Sequence, residues 1–147
     1  MNEKDVPALV EEGVTLPFYA SAGAAGADIR AHIREEVSIG SGEVKLIPTG
    51  LRVEVPVGYE IQVRPRSGLA LRSGVTVLNT PGTVDADYRG EIGIVLINHG
   101  GSPFVVTPKM RIAQLVLSPV CHARFFEKKF LQTTTREEGG FGHTGMY

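Results

Sequence analysis

The sequence predicts an all-β chain, a jelly-roll-like β-barrel of short strands with one short helix. Three observations carry that expectation. Apolar and polar residues alternate with a period of two in several windows, and eighteen glycines and nine prolines in 147 residues supply more turns than usual. No window holds a 3.6-residue apolar stripe long enough for an ordinary helix.

In chain order, Ala27, Ile29, Ala31 and Ile33 alternate with Asp28, Arg30, His32 and Arg34, which places apolar groups on one face of a strand. Leu51, Val53 and Val55 alternate with Arg52 and Glu54, and Tyr59, Ile61 and Val63 alternate with Glu60, Gln62 and Arg64. Pro56-Val57-Gly58 between them is turn chemistry. Ser67 to Ser73 is the one short helix expected, ended by Gly74. Ile92 to Ile97 reads as a strand buried on both faces, stopped by Asn98-His99-Gly100-Gly101. Phe104 to Thr107 and Ile112 to Leu117 are two further strands. Four of the last nine residues are glycine, so that segment cannot hold a core and is expected to be mobile.

Fifteen basic and sixteen acidic residues give a net charge of −1, which argues against a nucleic-acid coat or a polybasic membrane binder. The single cysteine, Cys121, rules out an internal disulfide framework and a cysteine zinc site. His32, His99, His122 and His143 show no metal-ligand spacing. With no basic-then-apolar leader and no apolar run of membrane length, the expectation is a soluble, cytoplasmic, single-domain protein.

Three segments can carry chemistry. Pro65-Arg66-Ser67-Gly68-Leu69-Ala70 follows a strand and opens the helix, so backbone N–H groups, a guanidinium and a hydroxyl converge as they would on an anion. A serine N-cap beside a surface arginine gives the same spacing. Asn79 to Glu91 contains Pro81 and Gly82 and is expected to fold as a hairpin. Its tip carries Asp85, a candidate general base, and Tyr88, a ring able to pack on a sugar. A solvated turn reads alike. Arg136 to Gly145 can wrap a phosphate chain with Arg136, His143 and Thr144 as donors, or can be a disordered tail. It lacks the ending of a Walker A loop. Asp28 reads as the solvated face of its strand and Gln114 as a surface polar residue.

Taken in order, these segments resemble the five motifs of the trimeric dUTP diphosphatase (dUTPase) family. Ala25-Gly26-Ala27-Asp28-Ile29 is similar to the first, Pro65 to Ala70 to the second and Gly82 to Glu91 to the third. Arg111 to Leu115 is similar to the fourth and Arg136 to Gly145 to the fifth. The likeness departs at Ala27, Lys109-Met110, Glu137 and His143.

The resemblance implies a dUTPase-like (β-clip) fold in a homotrimer with shared active sites. Residues 1–135 would be the β domain and 136–147 a mobile tail closing the site. The implied reaction is hydrolysis of dUTP to dUMP and pyrophosphate by water attack at the α-phosphorus, removing dUTP and supplying dUMP for thymidylate synthesis, with Mg²⁺ on the triphosphate. By the same resemblance Asp85 would activate the water and Tyr88 would stack under the deoxyribose. Asn79 and the backbone of Thr83, Val84 and Gly93 would read uracil, and a strand glycine often marks a ligand's close approach. Arg66, Ser67, Gly68 and Gln114 would hold phosphates. Asp28 would hold the hydrated Mg²⁺ through water or orient its neighbours. Arg136, Phe141, His143 and Thr144 would close over the nucleotide, Phe141 on the uracil. A dCTP deaminase-like enzyme is a rival, but it would want a group at the base's C4, usually a glutamate, where the tip here offers Asp85. A non-catalytic β-trimer binding module would not require acid, arginine, serine and tail together.

Overall fold

The structure, a computed structural model, describes residues 3–145; Met146 and Tyr147, the end of the expected tail, lie outside the described residues with Met1 and Asn2. Among the described residues there are twelve strands and one helix. They are β1 (Ala8–Val10), β2 (Phe18–Tyr19), β3 (Ala27–Arg30), β4 (Val37–Ile39), β5 (Val44–Pro48), β6 (Leu51–Val53) and β7 (Tyr59–Arg64). Helix α1 (Ser67–Ser73) follows, then β8 (Val75–Val77), β9 (Gly82–Val84), β10 (Gly93–Asn98), β11 (Phe104–Val106) and β12 (Arg111–Pro119). No helix among the described residues is long and apolar enough to cross a membrane.

The main sheet runs β2-β3-β12-β7-β9, all neighbours antiparallel. A second sheet runs β5-β10-β8, and two-stranded ladders join β1 to β6 and β11 to β4. The alternation explains the layering. Ile29, Ile61, Val63, Val84, Ala113 and Leu115 of the main sheet meet Ile47, Val75, Val77, Ile94 and Leu96 of the second in one buried cluster. Truncating a fully buried leucine such as Leu96 in such a core typically costs ~2–5 kcal/mol.

The helix forms where expected. Arg66 is extended (φ −95°, ψ 127°) and starts it, so Ser67 is its first helical residue and not an N-cap. Gly74 ends it in the left-handed region at φ 67°, and its N–H donates to the Ala70 and Leu69 carbonyls. Glycine is required twice over there, because an added Cβ would also meet the Gly100 backbone nitrogen at 2.7 Å.

Three expectations need correction. Residues 79–91 do not pair with themselves as a hairpin: β8 and β10 pair, Leu96 opposite Val77, while β9 between them leaves to pair with β7. The strand from residue 92 is not buried on both faces. Ile94, Leu96 and Asn98 are buried, whereas Gly93 is exposed and Val95 and Ile97 are half-buried beside exposed Leu46 and Val44 on β5. Asp28 is not on a solvated face but buried, for a reason given below. The strand does stop at Asn98, whose amide donates to the Ile39 and Ser102 carbonyls and accepts from the Gly100 N–H. After β12 the chain leaves the packed body, and residues 121–138 are exposed in this single chain.

Candidate active site

Three strands of the main sheet bring the first group together. In register, Gln114 on β12 lies opposite both Asp28 on β3 and Arg64 on β7. Two residues beyond the end of β7, Arg66 turns back, and its Nε donates to Asp28 Oδ1 at 3.0 Å. Arg111, at the start of β12, donates from Nη1 to Asp28 Oδ2 at 2.9 Å. Each carboxylate oxygen thus faces a guanidinium, which lets a carboxylate sit at 8% exposure without an uncompensated charge. Arg66 Nη1 also donates to the Arg111 carbonyl at 3.3 Å, so the two arginines are held side by side. Gln114 Nε2 donates to the Pro65 carbonyl at 2.9 Å, fixing the turn into α1. A Cβ at Gly26 would collide with the Gln114 amide oxygen, which accounts for the glycine before Ala27-Asp28. Ser67 stands exposed on the first helical turn, and Gly68 is half-buried beside it. The first-turn N–H groups of a helix lack intrahelical partners, so this corner presents cationic and N–H donors together.

The second group is a recess of about 160 Å³ at the far end of β9, lined by Asn79, Gly82, Thr83, Val84, Asp85, Tyr88, Glu91 and Gly93 among others. It gathers the five residues expected to face base and sugar, together with Asp85, expected to activate the water. Asp85 is exposed at its mouth, just past the last residue of β9. Tyr88 donates its hydroxyl to the Glu91 carbonyl at 2.9 Å, which sets the ring against the wall. Outside the loop, Arg89 Nη1 donates to the Ala86 and Tyr88 carbonyls at 2.8 and 2.9 Å. At Gly93 a Cβ would meet the Leu46 side-chain end, Cδ1, at 2.7 Å, so a larger residue there would have to displace that exposed leucine.

Within one chain Asp85 lies away from the arginine corner, although Val63, three residues before Arg66, also lines the recess. Val84 faces Ile61, and Arg66 lies five residues further along β7 and the turn after it. At roughly 3.3 Å per residue that is a separation on the order of 15 Å. The expected tail residues are apart from both. Phe141 is fully exposed, and Arg136 Nε donates to the Gly139 carbonyl at 2.6 Å. The backbone bonds around His143 and Thr144 run from His143 N–H to Gly140 and from Gly145 N–H to Gly142.

Sequence reasoning passed over two residues. Arg111 sits in a quoted motif without a role, yet it is the second arginine on Asp28. Glu91 ended another motif, yet its carboxylate accepts the Thr49 and Gly50 N–H groups. Neither was identifiable from spacing, because their partners lie far away in the chain.

Among the described residues no group of three or more His, Cys, Asp or Glu gathers as metal ligands. Asp28 does not suit direct coordination, since both of its oxygens already face arginines. Elsewhere, Lys45 and the Gly40 N–H hold the Glu43 carboxyl below the usual carboxylate range.

The family model described as dUTPase matches residues 12–145. A deoxyuridine 5'-triphosphate nucleotidohydrolase of Chlamydia pneumoniae is 59% identical over 137 residues, covering 92% of this chain and 94% of its own. One from Fusobacterium nucleatum is 50% identical over 145 residues, covering 99% of each. In fold, the Staphylococcus bacteriophage 80alpha dUTPase with dUPNHPP superposes with a TM-score of 0.86 at 23% identity, over 97% of this chain and 99% of that one. A variant dUTPase from phage phi11 of S. aureus, described with a structural Mg(II) ion, gives 0.78 at 21% identity, over 88% of this chain and 100% of that one. The match over nearly the whole chain, joined to the two residue groups above, places this chain in the dUTPase family.

Proposed function

We propose that this chain is a dUTP diphosphatase, hydrolysing dUTP to dUMP and pyrophosphate by attack of water on the α-phosphorus. The carrying observation is the single recess that collects Asn79, Thr83, Val84, Asp85, Tyr88 and Gly93. In this reading Asn79 and the backbone of Thr83, Val84 and Gly93 take the uracil edge, Tyr88 packs under the deoxyribose, and Asp85 orients the water and accepts its proton. Arg66, Ser67, Gly68 and Gln114 hold the phosphates and neutralise charge that develops on them. Asp28 acts by orienting Arg66 and Arg111. Mg²⁺ belongs on the triphosphate, where it would neutralise oxygens held by these same residues; the donor set fits that placement.

The separation of acid and phosphate grip supports a site shared between copies. One chain of a homotrimer would supply Asp28, Arg66, Ser67, Gly68 and Gln114, a neighbour the recess, and a third the tail with Arg136, Phe141, His143 and Thr144. Apolar surface supports the assembly too: Val44 and Leu46 on β5, and Phe125, Phe126, Phe130 and Leu131 beyond β12, are all exposed in the single chain. A trimer would weigh about 47 kDa, three times the 15.8 kDa subunit. Light scattering is expected to find that mass, and a fully active monomer would remove the shared site.

The functional test is to give the purified protein dUTP, dCTP, dTTP and UTP separately with Mg²⁺ and resolve the products. Pyrophosphate and dUMP from dUTP are expected. Ammonia from dCTP would make it a deaminase, and no product at all would leave a binding module.

A further inference from the structure

Building on the diphosphatase reading, we propose that Glu91 is a positioning residue for sugar selection, acting through Tyr88. Its side chain and its peptide point to opposite partners. Glu91 Oε1 accepts the Thr49 N–H at 3.0 Å and the Gly50 N–H at 2.7 Å. The carbonyl of Glu91 accepts the Tyr88 hydroxyl at 2.9 Å. The N–H of that same peptide unit, on Ile92, donates to the Leu51 carbonyl at 2.8 Å, and Thr49 Oγ1 donates to the Ile92 carbonyl at 2.5 Å. The acceptor that holds the ring is therefore fastened to the 49–51 segment from both sides.

That segment is a firm anchor. Thr49 and Leu51 are each 1% exposed. Between them Gly50 has φ +63°, which favours glycine, and a Cβ there would meet Val14 Cγ2 at 2.7 Å and His32 Cδ2 at 3.0 Å, so both side chains pack closely on this segment. On the ring side a Cβ at Gly90 would collide with the Tyr88 hydroxyl, so the ring lies directly against the chain that Glu91 fixes. A wall that excludes a ribose 2′-hydroxyl by contact must hold its position, because a small shift opens the space an extra oxygen needs. Removing the carboxylate would leave two backbone N–H groups short of an acceptor and loosen that wall, while the Ile92 bonds keep β10 in place.

The experiment compares the parent with Glu91→Ala, Glu91→Gln and Tyr88→Phe. It measures kcat and KM for dUTP and UTP, binding of dUMP and UMP by calorimetry, and thermal melting. Glu91→Ala is expected to lower the ratio of dUTP to UTP kcat/KM about tenfold, chiefly through KM, and the dUMP to UMP binding ratio in parallel. Tyr88→Phe, which removes the same anchor from the other end, is expected to move both ratios the same way. Glu91→Gln keeps an oxygen acceptor and is expected to restore both to within about threefold of the parent. An unchanged ratio in Glu91→Ala with a lowered melting temperature would make Glu91 merely structural and overturn the proposal, as would a glutamine variant no better than alanine. Should Glu91→Ala fail to fold, an unchanged ratio in Tyr88→Phe overturns it. A parent that releases no pyrophosphate from dUTP defeats the diphosphatase reading instead, and the dUMP and UMP binding ratio still decides the role of Glu91.

Discussion

Asp85→Asn is expected to lower kcat on dUTP about a thousandfold while a non-hydrolysable dUTP analogue binds nearly as well as before. The amide preserves the size and most of the polarity of the carboxylate but cannot take a proton from water. Asp85 is exposed beyond the end of β9, so the exchange leaves the β7–β9 pairing and the core untouched. The loss should therefore fall on turnover, with melting temperature and assembly unchanged. The measurement is kcat at saturating dUTP and neutral pH, beside calorimetric binding of the analogue. Turnover within about tenfold of the parent would falsify the assignment of Asp85 as base.

Ending the chain at Thr135 is expected to reduce kcat about a hundredfold and leave the fold intact. The residues removed include exposed Phe141 and the locally bonded Arg136, and no strand or helix among the described residues. The exposed apolar residues from Phe125 to Leu131 stay, so contacts between copies should persist. Closure of a glycine-rich segment costs ordering entropy, which phosphate and stacking contacts must offset. Under the proposed function its benefit would be exclusion of bulk water around the reacting phosphorus. Melting, light scattering and single-turnover kinetics on the truncated chain separate the cases. Full turnover would make the tail dispensable, and dissociation would make it structural.

How far the sequence was readable depended on the range of the interactions involved. α1 was legible to the residue because a proline before it, its composition and Gly74 are all local signals. β7 was legible because it alternates cleanly. β2 has only two residues and β1 is exposed throughout, so neither prints a burial pattern. β5 points Val44 and Leu46 outward, against the usual rule. Residues 79–91 misled because turn chemistry says where a chain bends, not which strand it then pairs with. Within the candidate site, Arg66 and Gln114 were found from motifs, and the structure sets both at one corner of the main sheet. The burial of Asp28 was hidden because its arginines lie 38 and 83 residues away. The role of Glu91 depends on partners 41 and 42 residues away.

The row formed by Asp28, Gln114 and Arg64 across β3, β12 and β7 bears on how errors in assembly are caught. On β12, Gln114 is flanked by fully buried Ala113 and buried Leu115. If β12 slipped by one residue, alternation would send an amide into the apolar interior and a leucine or alanine to the corner beside Arg66. The irregularity between Arg111 and Ala113 makes such sliding harder, because a bulge fits one alignment only. A chain zipped in the wrong alignment would thus lose its interior and its arginine corner together. Quality control that senses exposed apolar surface would then also remove copies whose arginine corner is misassembled.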